Sequence, residues 1–294
     1  MKPAPFAYCR PATLQQALEL MTEHGADGKV LAGGQSLVPI LNMRLSSPKC
    51  LIDINRISEL DYIRCEDDWL KIGALTRQRA VETSPIVREA CPILSEAIPY
   101  IGHLQTRNRG TVGGSLVHAD PTAELPLTLL ALDAKVVIQS LQETREVNLQ
   151  DFFVTFLTTD LMPEELLTEV KWNLATMPRG YAFAEYSRRH GDFALVAAAC
   201  LMDVEEDGVI TRARLTLGGV DAVPILAEAA MNALYGKVLD QNVLAEAARL
   251  AAANVDPESD LQASREYRLH LVEVFAKRTI QTAYQRAVSQ KGGT

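Results

Sequence analysis

Two glycine pairs stand out as residues able to do chemistry. Gly33-Gly34 lies in Leu31-Ala32-Gly33-Gly34-Gln35-Ser36, and Gly113-Gly114 in Arg109-Gly110-Thr111-Val112-Gly113-Gly114-Ser115. Each follows a short apolar or β-branched run and precedes a hydroxyl residue. Glycine admits positive φ and leaves main-chain N–H groups open to close approach. Successive N–H donors in such a turn form an anion-binding concavity, to which Ser36 and Ser115 can each add a hydroxyl. Two copies far apart in sequence suggest two loops gripping one diphosphate from opposite sides, although each pair alone also reads as an ordinary tight turn. Neither stretch fits G-x-G-x-x-G or G-x-x-x-x-G-K-[ST], which argues against a Rossmann dinucleotide site or a P-loop.

The elements that must hold these pairs follow from periodicity. Thr13 can cap a helix ending at His24, with Leu14, Ala17, Leu18 and Met21 on one face and Gly25 as the stop. Lys29 to Ala32 reads as a buried strand, Leu37 to Met43 as a short helix and Cys50 to Ile54 as a strand. Glu66-Asp67-Asp68 reads as a hairpin turn, and Lys135 to Ile138 with Arg145 to Val147 as a second hairpin. Helical stretches run from Thr76 to Thr83, from Pro85 irregularly to Ile98, and from Ala123 to Leu132, while Gln105 to Arg109 reads as a polar lead-in to the second glycine pair. Glu165 to Trp172 is a further strand. Asn173 to Gly180 breaks the pattern and marks a domain boundary. Beyond it, Tyr181 to Tyr186, Ala194 to Val204 and Val209 to Leu217 read as strands, and Ile225 to Leu234, Val243 to Ala253 and Arg265 to Ala287 as helices. Gly218-Gly219 is most simply a turn. The order is mixed α+β.

Composition excludes several classes. The chain has 294 residues, about two domains on length, and Lys+Arg 29 against Asp+Glu 37 gives −8. Without a basic run, nucleic acid and anionic membrane surfaces are poor partners. No stretch resembles a signal peptide or a membrane span, and Ala194 to Met202 is the longest apolar run. The five cysteines (Cys9, Cys50, Cys65, Cys91, Cys200) occur singly, against a disulfide framework, a zinc site or an iron–sulfur cluster built from this chain alone. The histidines (His24, His103, His118, His190, His270) show no spacing that builds a metal site. The expectation is a reduced, cytoplasmic protein with no metal of its own.

Taken together, several blocks resemble the FAD-binding medium subunit of the molybdenum hydroxylases, the family of carbon monoxide dehydrogenase, quinoline 2-oxidoreductase and xanthine dehydrogenase. The blocks are Phe6-Ala7-Tyr8 with Pro11 to Leu14, Ala32 to Leu37, Leu51 to Ile54, Arg107 to Leu116, Ala119 to Glu124, and Arg188 to Val196. The resemblance implies a two-lobed α+β FAD-binding domain of the vanillyl-alcohol-oxidase type over 1–176, with lobes at about 1–57 and 58–176. A small α+β domain, an antiparallel sheet plus helices, would follow over 177–294. It implies non-covalent FAD, with the pyrophosphate held by Ala32, Gly33, Gly34, Gln35 and Ser36 and by Thr111, Val112, Gly113, Gly114 and Ser115. Glu124 aligns with an acidic residue accepting from a sugar hydroxyl of the cofactor, Leu167 with an apolar residue packing on the flavin, and Phe193 with an aromatic near the ring system. Each also has a plain structural reading, as a first-turn carboxylate, a core leucine and a core phenylalanine. Arg107 and Arg109 can reach phosphate, a partner, or merely a structural ion pair. Relatives often carry a lysine in the strand before Arg188; here it reads Phe183-Ala184-Glu185-Tyr186.

The function so implied is electron transfer, with no catalytic acid or base on this chain. A large subunit would hold the molybdenum cofactor and a small subunit two [2Fe–2S] clusters, in a dimer of heterotrimers. FAD would pass electrons to an external acceptor. The same fold also allows a self-sufficient flavin oxidase or reductase, or a scaffold subunit without flavin.

Overall fold

The computed structural model describes residues 2–289. Its first lobe is a three-stranded parallel sheet in the order Ala7–Cys9, Cys50–Asp53, Gly28–Leu31. The helix Leu14–His24 covers it. Thr13 accepts from the Gln16 N–H at the amino end, and Gly25 at φ 50 ends the helix. Its buried face, Ala17, Leu18 and Met21, packs with Cys50, Ile52 and Ile54. All three strands point the same way, so the loops at their carboxyl ends, 32–36 and Ile54-Asn55, share one edge of the lobe, where ligands of open α/β sheets bind.

The second lobe is an antiparallel sheet in the order Ile63–Glu66, Trp69–Gly73, Leu166–Asn173, Lys135–Gln139, Thr144–Asn148. Asp67 and Asp68, both at positive φ, close the first hairpin as expected of a turn with two left-handed residues. Helices Gln78–Thr83, Pro85–Ala90 and Pro92–Ala97 follow in short proline-punctuated pieces. Two further helices, Leu104–Arg109 and Val112–His118, occupy the region read from sequence as a polar lead-in and a turn. The second glycine pair is therefore the first turn of a helix. A tight turn separates the two helices at Gly110, where a Cβ would lie 2.4 Å from Gln78 Oε1.

The carboxy-terminal part is a four-stranded antiparallel sheet, Gly180–Tyr186, Val196–Val204, Ile210–Gly218 and Ile225–Leu226, backed by helices Glu228–Leu234, Gln241–Ala253 and Arg265–Ser289. Ile225–Leu226 pairs with Thr216 and Leu217, which corrects the helix read from Ile225; the helix starts at Glu228, after the edge strand. Gly180 is required by packing, since a Cβ there would sit 2.1 Å from the Ala283 carbonyl oxygen of the long helix.

Helix Glu124–Ala131 lies between the second lobe and this sheet, and every residue in it is buried. A helix apolar on all sides needs cover on all sides. The carboxy-terminal sheet supplies part of it: Thr216 Oγ1 donates to the Leu127 carbonyl at 3.1 Å, and Arg214 donates to the carbonyls of Leu130 and Ala131 at 3.0 Å each. Arg286 of the long helix also pairs with Glu96 at 2.8 Å.

Candidate functional site

The structure brings the two glycine segments into contact. A Cβ on Gly33 would lie 2.4 Å from the Arg109 carbonyl oxygen and 3.0 Å from Gly110 Cα, and one on Gly114 would lie 4.0 Å from Ala32 Cβ. The chain reaches this closeness through residues that sequence reasoning did not single out. Asn55, just past strand Cys50–Asp53, donates to the Ala32 carbonyl at 2.8 Å and is itself held by Asp53 at 2.6 Å. Arg77 donates from one nitrogen to Asn55 Oδ1 and from the other to the Arg109 carbonyl, both at 2.6 Å. One guanidinium thus bridges the lobes, with hydrogen bonds to a charged donor worth about 1.5–3 kcal/mol each. Asn55 directly follows a recognised strand, which was its one available signal; nothing in the spacing points to Arg77.

The segments differ in what they offer a ligand. Gly34 is at φ +71, the left-handed turn that its residue type permits. Among the described residues, no group accepts a hydrogen bond from the N–H of Gly33, Gly34, Gln35 or Ser36. In the second segment Val112 N–H donates to the Thr76 carbonyl at 3.0 Å and Gly113 N–H to the Ala74 carbonyl at 2.9 Å. Gly114 N–H donates to Thr111 Oγ1 and Ser115 N–H to the Thr111 carbonyl, both at 3.1 Å. Gly113 is buried against Ala74, where a Cβ would come within 2.6 Å of the alanine methyl, while Gly114 is exposed. Four open donors in a left-handed turn, facing a helix start with no side chain at Gly114, fit a bound diphosphate.

The other sequence candidates lie on separate elements. Leu167 is buried in the second-lobe sheet beside a bulge, and its neighbour Thr168 accepts from Ala74 N–H at 2.9 Å, so its strand backs the residue that carries Gly113. Phe193 is 75% exposed, which excludes the core reading. Its loop folds onto the second lobe: Gly191, at φ +87, approaches His103 so closely that a Cβ would be 2.7 Å from the imidazole. Arg107 is buried and committed to Glu82, at 2.8 and 3.1 Å, and to the carbonyls of Ile101 and Gly102, the structural pairing. Arg109 is exposed. Asp120 caps its own turn through Thr122, whose N–H and hydroxyl donate to it at 2.9 and 2.7 Å.

Glu124 is buried at the amino end of the all-buried helix, and Glu185 approaches it from the carboxy-terminal sheet. Burial raises the Glu124 carboxyl to about 7, with nearby Asp120 adding to the rise. Burial also raises Glu185, to about 8, and the Glu124 charge adds to it. Both Glu185 oxygens are shielded from solvent without a hydrogen-bond partner; Glu124 and the Ser187 hydroxyl approach without closing a bond. Burial favours the protonated form of both acids, and a protonated carboxyl can donate as well as accept.

This arrangement defines a flavoprotein fold of the two-lobed kind. Residues 4–172 match the family described as the FAD binding domain in molybdopterin dehydrogenase, and residues 181–283 match the CO dehydrogenase flavoprotein C-terminal domain. The chain is 44% identical over 289 residues to the 6-hydroxypseudooxynicotine dehydrogenase complex subunit alpha of Paenarthrobacter nicotinovorans, covering 98% of this chain and 97% of that one. It is 38% identical to the caffeine dehydrogenase subunit beta of Pseudomonas sp. strain CBB1, covering 98% of each. Carbon monoxide dehydrogenase from Hydrogenophaga pseudoflava, solved without the Mo-pyranopterin moiety of its molybdenum cofactor, superimposes with a TM-score of 0.95 at 35% identity, covering 97% of this chain and 99% of that one. The chain belongs to the FAD-binding medium subunits of the molybdopterin hydroxylases, the carbon monoxide dehydrogenase, quinoline oxidoreductase and xanthine dehydrogenase type. It is thus an oxidoreductase subunit. Among the described residues, no helix is long and apolar enough to cross a membrane.

Proposed function

We propose that this chain is the electron relay of its complex. FAD lies between the lobes and takes electrons from [2Fe–2S] clusters of a small subunit, while a large subunit with the molybdenum cofactor oxidises the substrate. The carrying observation is the open donor set of Gly33, Gly34, Gln35 and Ser36, closed against the helix start at Thr111 to Ser115 by the Asn55–Arg77 bridge. These two segments hold the pyrophosphate, and the Ser36 and Ser115 hydroxyls add donors to it. Glu124 meets a sugar hydroxyl, Leu167 supports the ring system, and exposed Phe193 stands where the acceptor enters. When bound, FAD supplies the redox chemistry, accepting electrons and handing them on. The protein positions it and tunes it electrostatically, and no side chain of this chain acts as acid or base on the substrate.

Two further facts support the division of labour. The relatives form parts of enzymes named for a hydroxylated pseudooxynicotine, for caffeine and for carbon monoxide, so chains of similar sequence accompany unrelated substrates. The five cysteines are all free, and two of them, Cys91 and Cys200, are sealed in the core, which leaves no four-thiolate set for a cluster. We place the boundary between the two domains at 176/177; residues 174–179 join strands Leu166–Asn173 and Gly180–Tyr186.

Copurification of the complex from its native source, with an absorption spectrum and metal analysis, tests the reading. FAD is expected on this chain, with molybdenum and iron on its partners. In the complex, substrate should bleach the flavin; the isolated FAD-loaded chain should oxidise no organic substrate. Turnover by the isolated chain, or a colourless complex, rejects the relay.

A further inference from the structure

Cys9, His24 and Cys50 are remote in sequence and share no ligand spacing, yet they converge on one face of the first lobe. Cys9 ends strand Ala7–Cys9 and Cys50 begins strand Cys50–Asp53. These strands are parallel neighbours in the register Ala7↔Cys50 to Cys9↔Ile52, so the two cysteines lie diagonally on the same face. Their sulfurs are 3.5 Å apart, and the imidazole of His24, the last residue of helix Leu14–His24, completes a group whose ligand atoms all lie within 4.8 Å of one another.

Those separations can be set against coordination chemistry. With zinc–sulfur bonds of about 2.3 Å and zinc–nitrogen bonds of about 2.0–2.1 Å, neighbouring ligand atoms of a tetrahedron are roughly 3.4–3.8 Å apart. The sulfur pair falls within that range, and the imidazole has to close at most about 1.3 Å, within reach of a side-chain rotation. The ligands come from three elements locked by one core, in which Cys50 is fully buried. A cavity of about 420 Å³ opens beside Cys9, lined also by Gln16, Glu19 and Glu23. The cation in the same wall, Arg10, is turned toward Asp53 at 3.6 Å.

We propose that Cys9, His24 and Cys50 form a metal site separate from the flavin cleft, taking a borderline or soft cation, zinc foremost, with water as the fourth ligand. Two thiolates and an imidazole select such a cation over magnesium or calcium. Binding releases both thiol protons to solvent and forms two metal–sulfur bonds and one metal–nitrogen bond, with no change of oxidation state. The cation ties the first strand, the covering helix and the strand that leads to Asp53 and Asn55. It thereby braces the residue that holds the Ala32 carbonyl of the first glycine segment.

The test uses the full chain carrying Cys65→Ser, because Cys65 is an exposed thiol. The protein is reduced with a phosphine, stripped with a chelator, and titrated with Co²⁺ and then Zn²⁺. The expected result is one cation per chain, with the sulfur-to-cobalt charge-transfer band and the strong visible bands of a tetrahedral thiolate site, displaced by Zn²⁺. Cys9→Ser should lose at least about 100-fold in affinity and weaken the charge-transfer band, and His24→Gln should lose at least about tenfold while keeping it. Both positions are partly exposed, so metal-free thermal melts of these variants should match the parent, while Zn²⁺ raises the Tm of the parent alone. A weak octahedral cobalt spectrum, unchanged affinity in the Cys9→Ser/His24→Gln double variant, or Cys9–Cys50 disulfide formation in air with no metal uptake by the reduced protein would each overturn the site.

Discussion

The two glycine pairs, alike in sequence, do different work. Gly33-Gly34 follows a strand, takes a left-handed turn and leaves four successive N–H groups without acceptors among the described residues. Gly113-Gly114 opens a helix whose first N–H groups are already engaged by Thr76, Ala74 and Thr111. The first pair exposes donors; the second removes bulk, so that Ala74 can pack behind it and the first segment can close in front. The same dipeptide thus serves hydrogen bonding in one lobe and close approach in the other.

Substitutions can separate these roles. The largest effect is expected from Gly33→Ala, whose methyl would meet the Arg109 carbonyl at 2.4 Å and force the lobes apart. Bound FAD, measured by absorbance after denaturation, should fall by about 100-fold in affinity or more, with roughly 1–3 kcal/mol of stability lost to overpacking. Gly114→Val adds bulk at an exposed position, 2.6 Å from Thr111 Oγ1. It should abolish flavin retention while costing the fold only about 1 kcal/mol, the value of a helix cap. Unchanged flavin content in the folded variant would reject the placement of the pyrophosphate.

Arg77→Met keeps the bulk and cuts the bridge between the segments. FAD should bind about tenfold more weakly, matching the loss of a charged hydrogen bond of about 1.5–3 kcal/mol. An unaffected dissociation constant would mean that the lobes are held together by packing alone.

The carboxyl pair gives a smaller, pH-dependent effect. Both acids are raised by burial, Glu124 to about 7 and Glu185 to about 8. Between the ordinary glutamate value and these, the folded chain holds protons that the unfolded chain gives up. Stability therefore falls as pH rises through that window and levels off above it. We expect stability to decline steadily from about pH 5 to pH 8 in thermal melts. Glu185→Gln should flatten it; an equal slope in the variant would place the titrating groups elsewhere. Smallest of all, Phe193→Ala should change stability by less than about 0.5 kcal/mol, as at other exposed positions, and leave flavin content intact. The rate with the electron acceptor should change, and an identical rate would remove Phe193 from the acceptor's path.

Much of the frame was legible in the sequence because it rests on local signals. The Thr13 cap, the apolar face of Leu14–His24, the Asp67-Asp68 turn and the run Cys50–Asp53 each carry their own periodicity or turn chemistry. What escaped depended on tertiary partners. Val112–His118 reads as a turn because Gly113 and Gly114 disfavour helix, and packing on Ala74 with the Thr111 cap overrides that preference. Ile225–Leu226 looked helical because the following residues are; its pairing with Thr216 and Leu217 decides otherwise. At the site, the glycine segments were visible, whereas the Asn55–Arg77 bridge and the Glu124–Glu185 pair join residues remote in sequence with no spacing to betray them. The convergence of Cys9, His24 and Cys50 escaped for the same reason.

One consequence follows from the helix Glu124–Ala131. Its flank is finished by Thr216 and Arg214 of the far sheet, and Leu125, Leu127, Leu129 and Leu130 are all sealed from water. A fragment ending between residues 174 and 179 would bare a greasy seam and clump rather than yield a free-standing cofactor module. The rear sheet is a cork for the front half, and the two are best produced as a single polypeptide.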